Sequence, residues 1–192
     1  MIEQTLVLLK PDAVQRGLIG EIIARFERPG FKAIGLKMCY ATKDIAGKHY
    51  ADDESWLTSV GEKAKKAAEA KGKKFTESSK DIGQRIRQQL IDFITMSPTV
   101  AICLEGHDVI NKVRTIVGDT APNRAAPGTI RGDFAFDSYG LADASGRPIQ
   151  NLIHASDSPE SAKREISIWF KKDELHPYQR VDEALLYRKG KK

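Results

Sequence analysis

Cysteine is scarce in this sequence of 192 residues: only Cys39 and Cys103 are present, each within an apolar stretch. Two such cysteines exclude a disulfide framework and a cysteine-ligated metal site, and we expect both thiols to be reduced. Long apolar runs are also missing. The run TLVLL at 5–9 is too short for a signal peptide or a membrane span, which predicts a cytoplasmic protein with no membrane partner.

A Walker phosphate-binding loop is missing as well. Gly47-Lys48 is followed by His49, and no other Gly-Lys pair precedes a serine or threonine. Any chemistry on phosphates must therefore rely on other groups of this chain.

The chain carries an excess of positive charge, formally +5, which suggests a polyanionic partner such as nucleic acid. Segment 61–80 alone holds seven Lys against three Glu, a local 7 − 3 = +4, so the remainder is nearly neutral. This favours a solvated helical segment over a nucleic-acid groove.

Apolar periodicity predicts a single domain of the α/β class. Short strand patterns alternate with stripes of apolar residues at helical spacing, in the order β-α-β-β-α-β. This order predicts an α+β sandwich with a ferredoxin-like antiparallel sheet of four strands and helices on one face. The predicted strands are 5–9, 34–40, 99–104 and 151–154, and the two helices are 19–26 and 109–117.

The stretch NLIHASD, 151–157, holds the most informative histidine, His154. One interpretation is a hydrogen-bonded core histidine. Arg114 and Glu165 lie at the edges of apolar helical stripes, where each is singly more typical of a boundary side chain. If both helices pack on the sheet that carries His154, they bring a guanidinium and a carboxylate towards it.

A strand through His154 would direct Ser156 to the same face and Asp157 to the other, which argues against a Ser-His-Asp relay between sequence neighbours. Lys10 ends the first predicted strand, and with Arg114 and Arg131 it could clamp a polyphosphate. The loop 119–133 adds further donors. A neutral imidazole can accept a phosphoryl group, which makes covalent phosphoryl transfer the favoured chemistry.

Several long stretches resemble the nucleoside diphosphate kinase family: LLKPDAVQRGLIGEIIARFERPGFKAIGLKM, APGTIRGDF, NLIHASDSPESAKREISIWF and the pair His49-Tyr50. They occur in the family's order and span nearly the whole chain. The resemblance implies an enzyme with a ping-pong mechanism, in which ATP phosphorylates His154 and a nucleoside diphosphate then collects the phosphoryl group.

The resemblance also assigns roles to individual residues. By that match, Ser156 and Glu165 support and orient His154, and Lys10 with Asn151 contacts the sugar hydroxyls. In the family Mg²⁺ travels on the nucleotide phosphates rather than in a protein cage, so no protein metal ligands are expected. The residues matched to phosphate binding are Lys10, Tyr50, Arg114, Thr120 and Arg131.

The chain departs from the family in two segments, which we interpret as insertions into one domain, 1–192. One is a Lys-rich helical insertion at about 55–85, and the other is a loop insertion at about 137–150. They leave the base-stacking residue open among Trp56, Phe75 and Arg87. We hypothesise that the two insertions pack on each other as a lid or an added rim at the nucleotide mouth.

The resemblance implies a homo-oligomer, a hexamer or tetramer built from dimers, with the loop 119–130 at subunit contacts. Two alternatives to an active kinase remain at this point. One is a module that reads single-stranded nucleic acid, which the lack of aromatic residues in 5–9 and 99–104 disfavours. The other is a weak or inactive relative with a regulatory role, although every matched position keeps a workable side chain.

Overall fold

A computed structural model of the chain describes residues 2–50, 52–69, 72 and 76–187. Its centre is an antiparallel sheet of four strands in the order β2-β3-β1-β4. This is the predicted ferredoxin-like sheet, and each predicted strand is found with shifted ends. The strands are β1 (Ile2–Leu9), β2 (Lys32–Cys39), β3 (Thr99–His107) and β4 (Ile153–Ala155).

Ten helices surround the sheet in the described part of the chain. Two of them begin at a capping hydroxyl: that of Thr42 accepts from Ile45 N at the start of α3, and that of Ser158 accepts from Ser161 N at the start of α9. The helices are α1 (Pro11–Gln15), α2 (Ile19–Glu27), α3 (Lys43–His49), α4 (Glu54–Glu69), α5 (Ser79–Thr95), α6 (Val109–Val117), α7 (Ile130–Phe134), α8 (Tyr139–Ala144), α9 (Pro159–Trp169) and α10 (Glu183–Leu186).

Helices cover both faces of the sheet. The two helices of the predicted β-α-β-β-α-β unit, α2 and α6, do share one face, where they pack on Val7 and Leu9. The two helices of the predicted unit thus lie on one face as expected, and three helices outside that unit, α3, α5 and α9, form a second layer that packs on Leu6 and Leu8 on the other face. The physical reason is the continuous apolar run of β1, whose alternate side chains point to opposite faces and are all buried.

The Lys-rich segment predicted to be helical contains α4 and the start of α5. These helices pack closely because glycines lie at the crossing: a Cβ at Gly61 would stand 1.7 Å from Ser79 O, and one at Gly83 would stand 2.0 Å from Leu57 O. Phe75, one of the candidate stacking residues, lies outside the described residues.

Segment 137–150, predicted as a loop, contains the short helix α8. Asp137 organises it: its carboxylate accepts from the backbone N–H groups of Ser138 and Gln150 and from both terminal nitrogens of Arg147. A buried carboxylate that collects local N–H donors is what turns the predicted loop into an ordered segment. In the described residues α8 makes no extensive contact with α4 or α5, so contacts between these helices give no support to the hypothesis that the two segments pack on each other.

The C-terminal segment returns to the edge of the sheet. Lys32 Nζ lies 2.8 Å from a carboxylate oxygen of Glu105 and 2.8 Å from one of Glu183, and it also donates to Tyr178 O. These contacts fix α10 beside β2 and β3. Each helix in the described ranges is too short or too polar to cross a lipid bilayer.

Candidate active site

A hydrogen-bonded triad lies where β4 meets α9. His154 pairs with Leu8 of β1, so its side chain faces the layer that contains α9. Glu165 Oε2 lies 2.8 Å from His154 Nε2 and accepts the Ser156 hydroxyl at 2.7 Å. Ser156 Oγ in turn accepts the N–H of Leu6 at 3.3 Å. The structure thus brings together the three residues that the sequence matched to the nucleophile and its supports.

This geometry leaves one imidazole nitrogen available. Burial alone would raise the pKa of Glu165, but the hydrogen bond and charge of His154, followed by His49 and Ser156, outweigh it and hold the pKa below its usual value. An ionised Glu165 accepts a hydrogen bond from the N–H of His154 Nε2, so the lone pair of the neutral ring lies on Nδ1. The His154 side chain is 26% exposed, so a substrate can reach the imidazole ring from solvent.

A second histidine, to which the sequence assigned no role, packs against the first. The ring of His49 lies 4.5 Å from that of His154 at 86°, and Trp169 Nε1 donates to His49 Nδ1 at 3.3 Å. Burial, and then the charge of His154, lowers the pKa of His49 well below its usual value. His49 is therefore neutral with its proton on Nε2. The pair His49-Tyr50 is the available sequence signal, although the family resemblance assigns a role to Tyr50 alone.

Two arginines fix the end of α3, which carries His49. Arg87 donates to two backbone carbonyls within 47–50 at 3.0 Å each, and Arg164 donates to the other two at 3.1 and 3.5 Å. With these bonds and a side chain only 14% exposed, Arg87 is not free to stack on a base. Trp56, at the start of α4, is half-buried and stays a candidate.

Lys10 lies at the end of β1, buried beside the turn that precedes β4. Its Nζ donates to Asn151 Oδ1 at 2.8 Å, and Asn151 Nδ2 donates to Thr120 O at 2.8 Å. Burial, followed by the charge of Arg131, lowers the pKa of Lys10 to about 8, while Asp12 opposes this effect. The structure therefore joins three predicted ligand positions, with the side chain of Thr120 facing solvent.

Arg131 is more engaged with the protein than the sequence suggested. It donates to Asn151 O at 3.1 Å, Ile153 O at 2.6 Å, Gly118 O at 3.0 Å and Asp119 O at 3.1 Å. Burial, and then the charge of the exposed Arg114 on α6, lowers the pKa of Arg131 to about 10. Because Arg114 influences Arg131 in this way, the two guanidiniums belong to one basic region.

Tyr50 presents a buried hydroxyl to the same region. Its ring stands 4.9 Å from that of His49, and its oxygen has no hydrogen-bond partner within the described ranges. Burial, and then the charges of Glu165 and Asp12, raises the pKa of Tyr50. A buried hydroxyl without a partner is rare in proteins, and it is suited to bind an oxygen of a ligand.

Among the described residues, the one group of three potential metal ligands is His49, His154 and Glu165, whose ligand atoms lie within 4.8 Å of one another. Mg²⁺ requires mostly oxygen ligands. This group offers one carboxylate, already bonded to His154 and Ser156. The cluster therefore does not suit Mg²⁺.

The chain is similar in sequence to known nucleoside diphosphate kinases. The family model described as nucleoside diphosphate kinase matches residues 3–56 and 55–175. A curated nucleoside diphosphate kinase of Pyrobaculum aerophilum is 45% identical over 179 residues, 91% of this chain and 98% of that protein. These matches cover nearly all of the chain.

Solved structures agree. The NDP kinase from Pyrobaculum aerophilum superimposes with a TM-score of 0.89 at 42% identity, covering 92% of this chain and all of that one. The enzyme from Borrelia burgdorferi, solved as a transition-state mimic with vanadate and ADP, gives 0.79 at 38% identity and covers 96% of each chain. By sequence and by fold, this chain belongs to the nucleoside diphosphate kinase family.

Proposed function

We propose that this chain moves the γ-phosphoryl group of ATP to nucleoside diphosphates in two steps, through a covalent phosphohistidine on His154. Its family makes it an enzyme of phosphoryl transfer between nucleotides. The observation that carries the proposed route is the hydrogen bond from His154 Nε2 to Glu165, which leaves Nδ1 as the nucleophile.

In the first step, the Nδ1 lone pair forms a bond to the γ-phosphorus while the bond from that phosphorus to the bridging oxygen breaks, and its electrons leave with ADP. The imidazole becomes positively charged as the new bond forms. Glu165, held by Ser156, stabilises that charge through the Nε2–H bond. In the second step an oxygen of the acceptor diphosphate attacks the same phosphorus, and Nδ1 leaves as the neutral ring.

The phosphates are held by Lys10, Tyr50, Arg114, Thr120 and Arg131, and Lys10 with Asn151 contacts the sugar hydroxyls. The buried ammonium of Lys10 and the unpartnered hydroxyl of Tyr50 support this assignment, since both gain a partner when an anionic oxygen enters. Arg131 has one N–H left after its four backbone bonds. Its contribution is therefore mainly positive charge.

Mg²⁺ enters as part of the nucleotide substrate. Bound to the phosphates, it neutralises part of their negative charge, which the basic side chains complete. The protein then needs no metal cage of its own.

Assembly into a homo-oligomer, a hexamer or a tetramer, is supported by the edge strand β2. Three apolar residues in or directly after this strand are exposed: Leu36 at 55%, Met38 at 55% and Tyr40 at 68%. An edge strand with exposed apolar residues is suited to pair with another chain.

We place the protein in the cytoplasm, as a single domain with inserted segments at about 55–85 and 137–150.

The test is an initial-rate assay of GTP formation from ATP and GDP with Mg²⁺. A covalent intermediate predicts parallel double-reciprocal lines, loss of turnover in His154→Ala and full turnover in the exposed control His176→Ala. Intersecting lines, or an active His154→Ala protein, would refute the proposed route. The alternative of an inactive regulatory or nucleic-acid-binding relative is not favoured by the family match or by the intact triad.

A further inference from the structure

The backbone immediately before His154 is strained. Leu152 has a positive φ of 67°, a conformation that side chains other than glycine rarely adopt. Ile153 N donates to Asn151 O at 2.7 Å across this residue. A hydrogen bond between residues two apart with a positive φ between them is the strained form of the γ-turn. Such a turn persists only where its surroundings hold it.

Several groups hold this turn, and two of them bind the strained residue directly. Asp12 Oδ2 accepts the N–H of Leu152 at 2.9 Å, and Lys10 N donates to Leu152 O at 2.8 Å. Arg131 donates to the carbonyls of Asn151 and Ile153. Both ends of the Leu152 peptide are thus tied to the short segment 10–12.

The turn couples two parts of the proposed site. On one side, Asn151 meets the ammonium of Lys10. On the other side, β4 starts at Ile153 and places His154 opposite Leu8. A change in the turn therefore shifts the sugar-binding side and the nucleophile relative to each other.

Asp12 also places negative charge among buried cations. Its side chain is 8% exposed, and its second oxygen, Oδ1, is buried with no hydrogen-bond partner in the described part of the chain. The charge of Asp12 opposes the lowering of the pKa of both Lys10 and Arg131. The carboxylate thus has two effects at this position, one on the backbone and one on the cations.

We infer that Asp12 is a positioning residue for phosphoryl transfer at His154: its carboxylate holds the strained turn 151–153 and so sets Asn151 and His154 in register. The inference rests on the proposed function, because its readout is the phosphorylation of His154. The hydrogen bond of the Asp12 carboxylate goes to the backbone N–H of Leu152 and not to His154, so Asp12 acts through the backbone.

The experiment measures the single-turnover rate of His154 phosphorylation by saturating Mg-ATP, at about pH 6, where Lys10 stays protonated. Asp12→Ala should lower this rate about 100-fold, the effect of a small misplacement of reacting groups. Asp12→Asn retains an oxygen that can accept the Leu152 N–H and should stay within about tenfold of wild type. Glu174→Ala is the matched control, because Glu174 also accepts a backbone N–H and pairs with a lysine, and it should leave the rate unchanged.

A double-mutant cycle with Leu152→Gly separates positioning from mere stability. Glycine adopts a positive φ without strain, so it needs no clamp. Asp12→Ala should therefore cost much less in the Leu152→Gly background than in the wild-type background. Equal losses in the two backgrounds would overturn the inference.

If Leu152→Gly fails to fold, the comparison of Asp12→Asn with Asp12→Ala decides, and equal losses in those two variants would overturn the inference. Normal phosphorylation of Asp12→Ala would overturn it as well, while leaving the proposed function intact. Absence of phosphorylation in the wild-type protein would overturn both together.

Discussion

Burial of the Lys10 ammonium should lower the free energy of unfolding of the protein, and the substitution Lys10→Met tests this. The pKa of Lys10 falls from 10.5 to about 8 on folding, and the difference, 10.5 − 8 = 2.5, corresponds to about 3 kcal/mol against the buried ammonium near pH 7. Methionine has a similar length and no charge. The substitution therefore removes this penalty, although it also leaves Asn151 Oδ1 without its donor.

The pH dependence of the free energy of unfolding isolates the contribution of the Lys10 charge. Because the folded pKa of this amine lies below the unfolded one, the unfolded chain binds more protons between about pH 8 and 10.5, and wild-type stability rises with pH there. Lys10→Met lacks this contribution. The variant's stability relative to wild type should therefore fall by about 2 kcal/mol between about pH 7 and about pH 9.5.

Urea unfolding of both proteins at the two pH values measures this difference. Lys48→Met is the control, because Lys48 is an exposed partner of Asp44 and should give a difference independent of pH. The Lys10→Met protein should also bind nucleoside diphosphates much more weakly. A stability difference between Lys10→Met and wild type that does not change with pH would contradict a lowered pKa of Lys10 in the folded protein.

Three further predictions concern the triad and segment 137–150. Ser156→Ala removes a hydrogen bond to an ionised carboxylate, so urea unfolding should show a loss of about 2 kcal/mol, and turnover should fall about tenfold. Glu165→Gln removes the negative charge facing His154, so single-turnover phosphorylation should slow about 100-fold while the melting temperature changes little; an unchanged rate would contradict the assigned role. Asp137→Asn should destabilise segment 137–150 towards proteolysis near pH 7 by weakening its bond to Arg147. The pKa of Asp137 is lowered in the folded protein. The difference in resistance to proteolysis between wild type and Asp137→Asn should therefore disappear as the pH falls below the usual pKa of an aspartate, about 4.

The sheet could be predicted because its signals are local. Alternation and short apolar runs depend on neighbours in sequence, and all four strands were located within a few residues. The same run at Leu6–Leu9 also contained the reason for helices on both faces, since a strand buried on both sides needs two covering layers. Which helices supply the second layer is decided by packing over long sequence distances.

The site was predictable where residues form motifs and not where they act through the backbone. His154, Ser156 and Glu165 stand in a long recognisable stretch, and the structure joins them. The role of Arg131 as a backbone brace and the strained Leu152 have no sequence signal, because any residue can offer a carbonyl. The tertiary fold alone makes these contacts.

The central claim is the phosphohistidine at His154, and intact mass spectrometry after brief exposure to Mg-ATP tests it most directly. We expect one phosphoryl adduct that is labile in acid, stable in alkali, discharged by added GDP and absent from His154→Ala. A wild-type protein without an adduct, or an adduct that persists in His154→Ala, would contradict it.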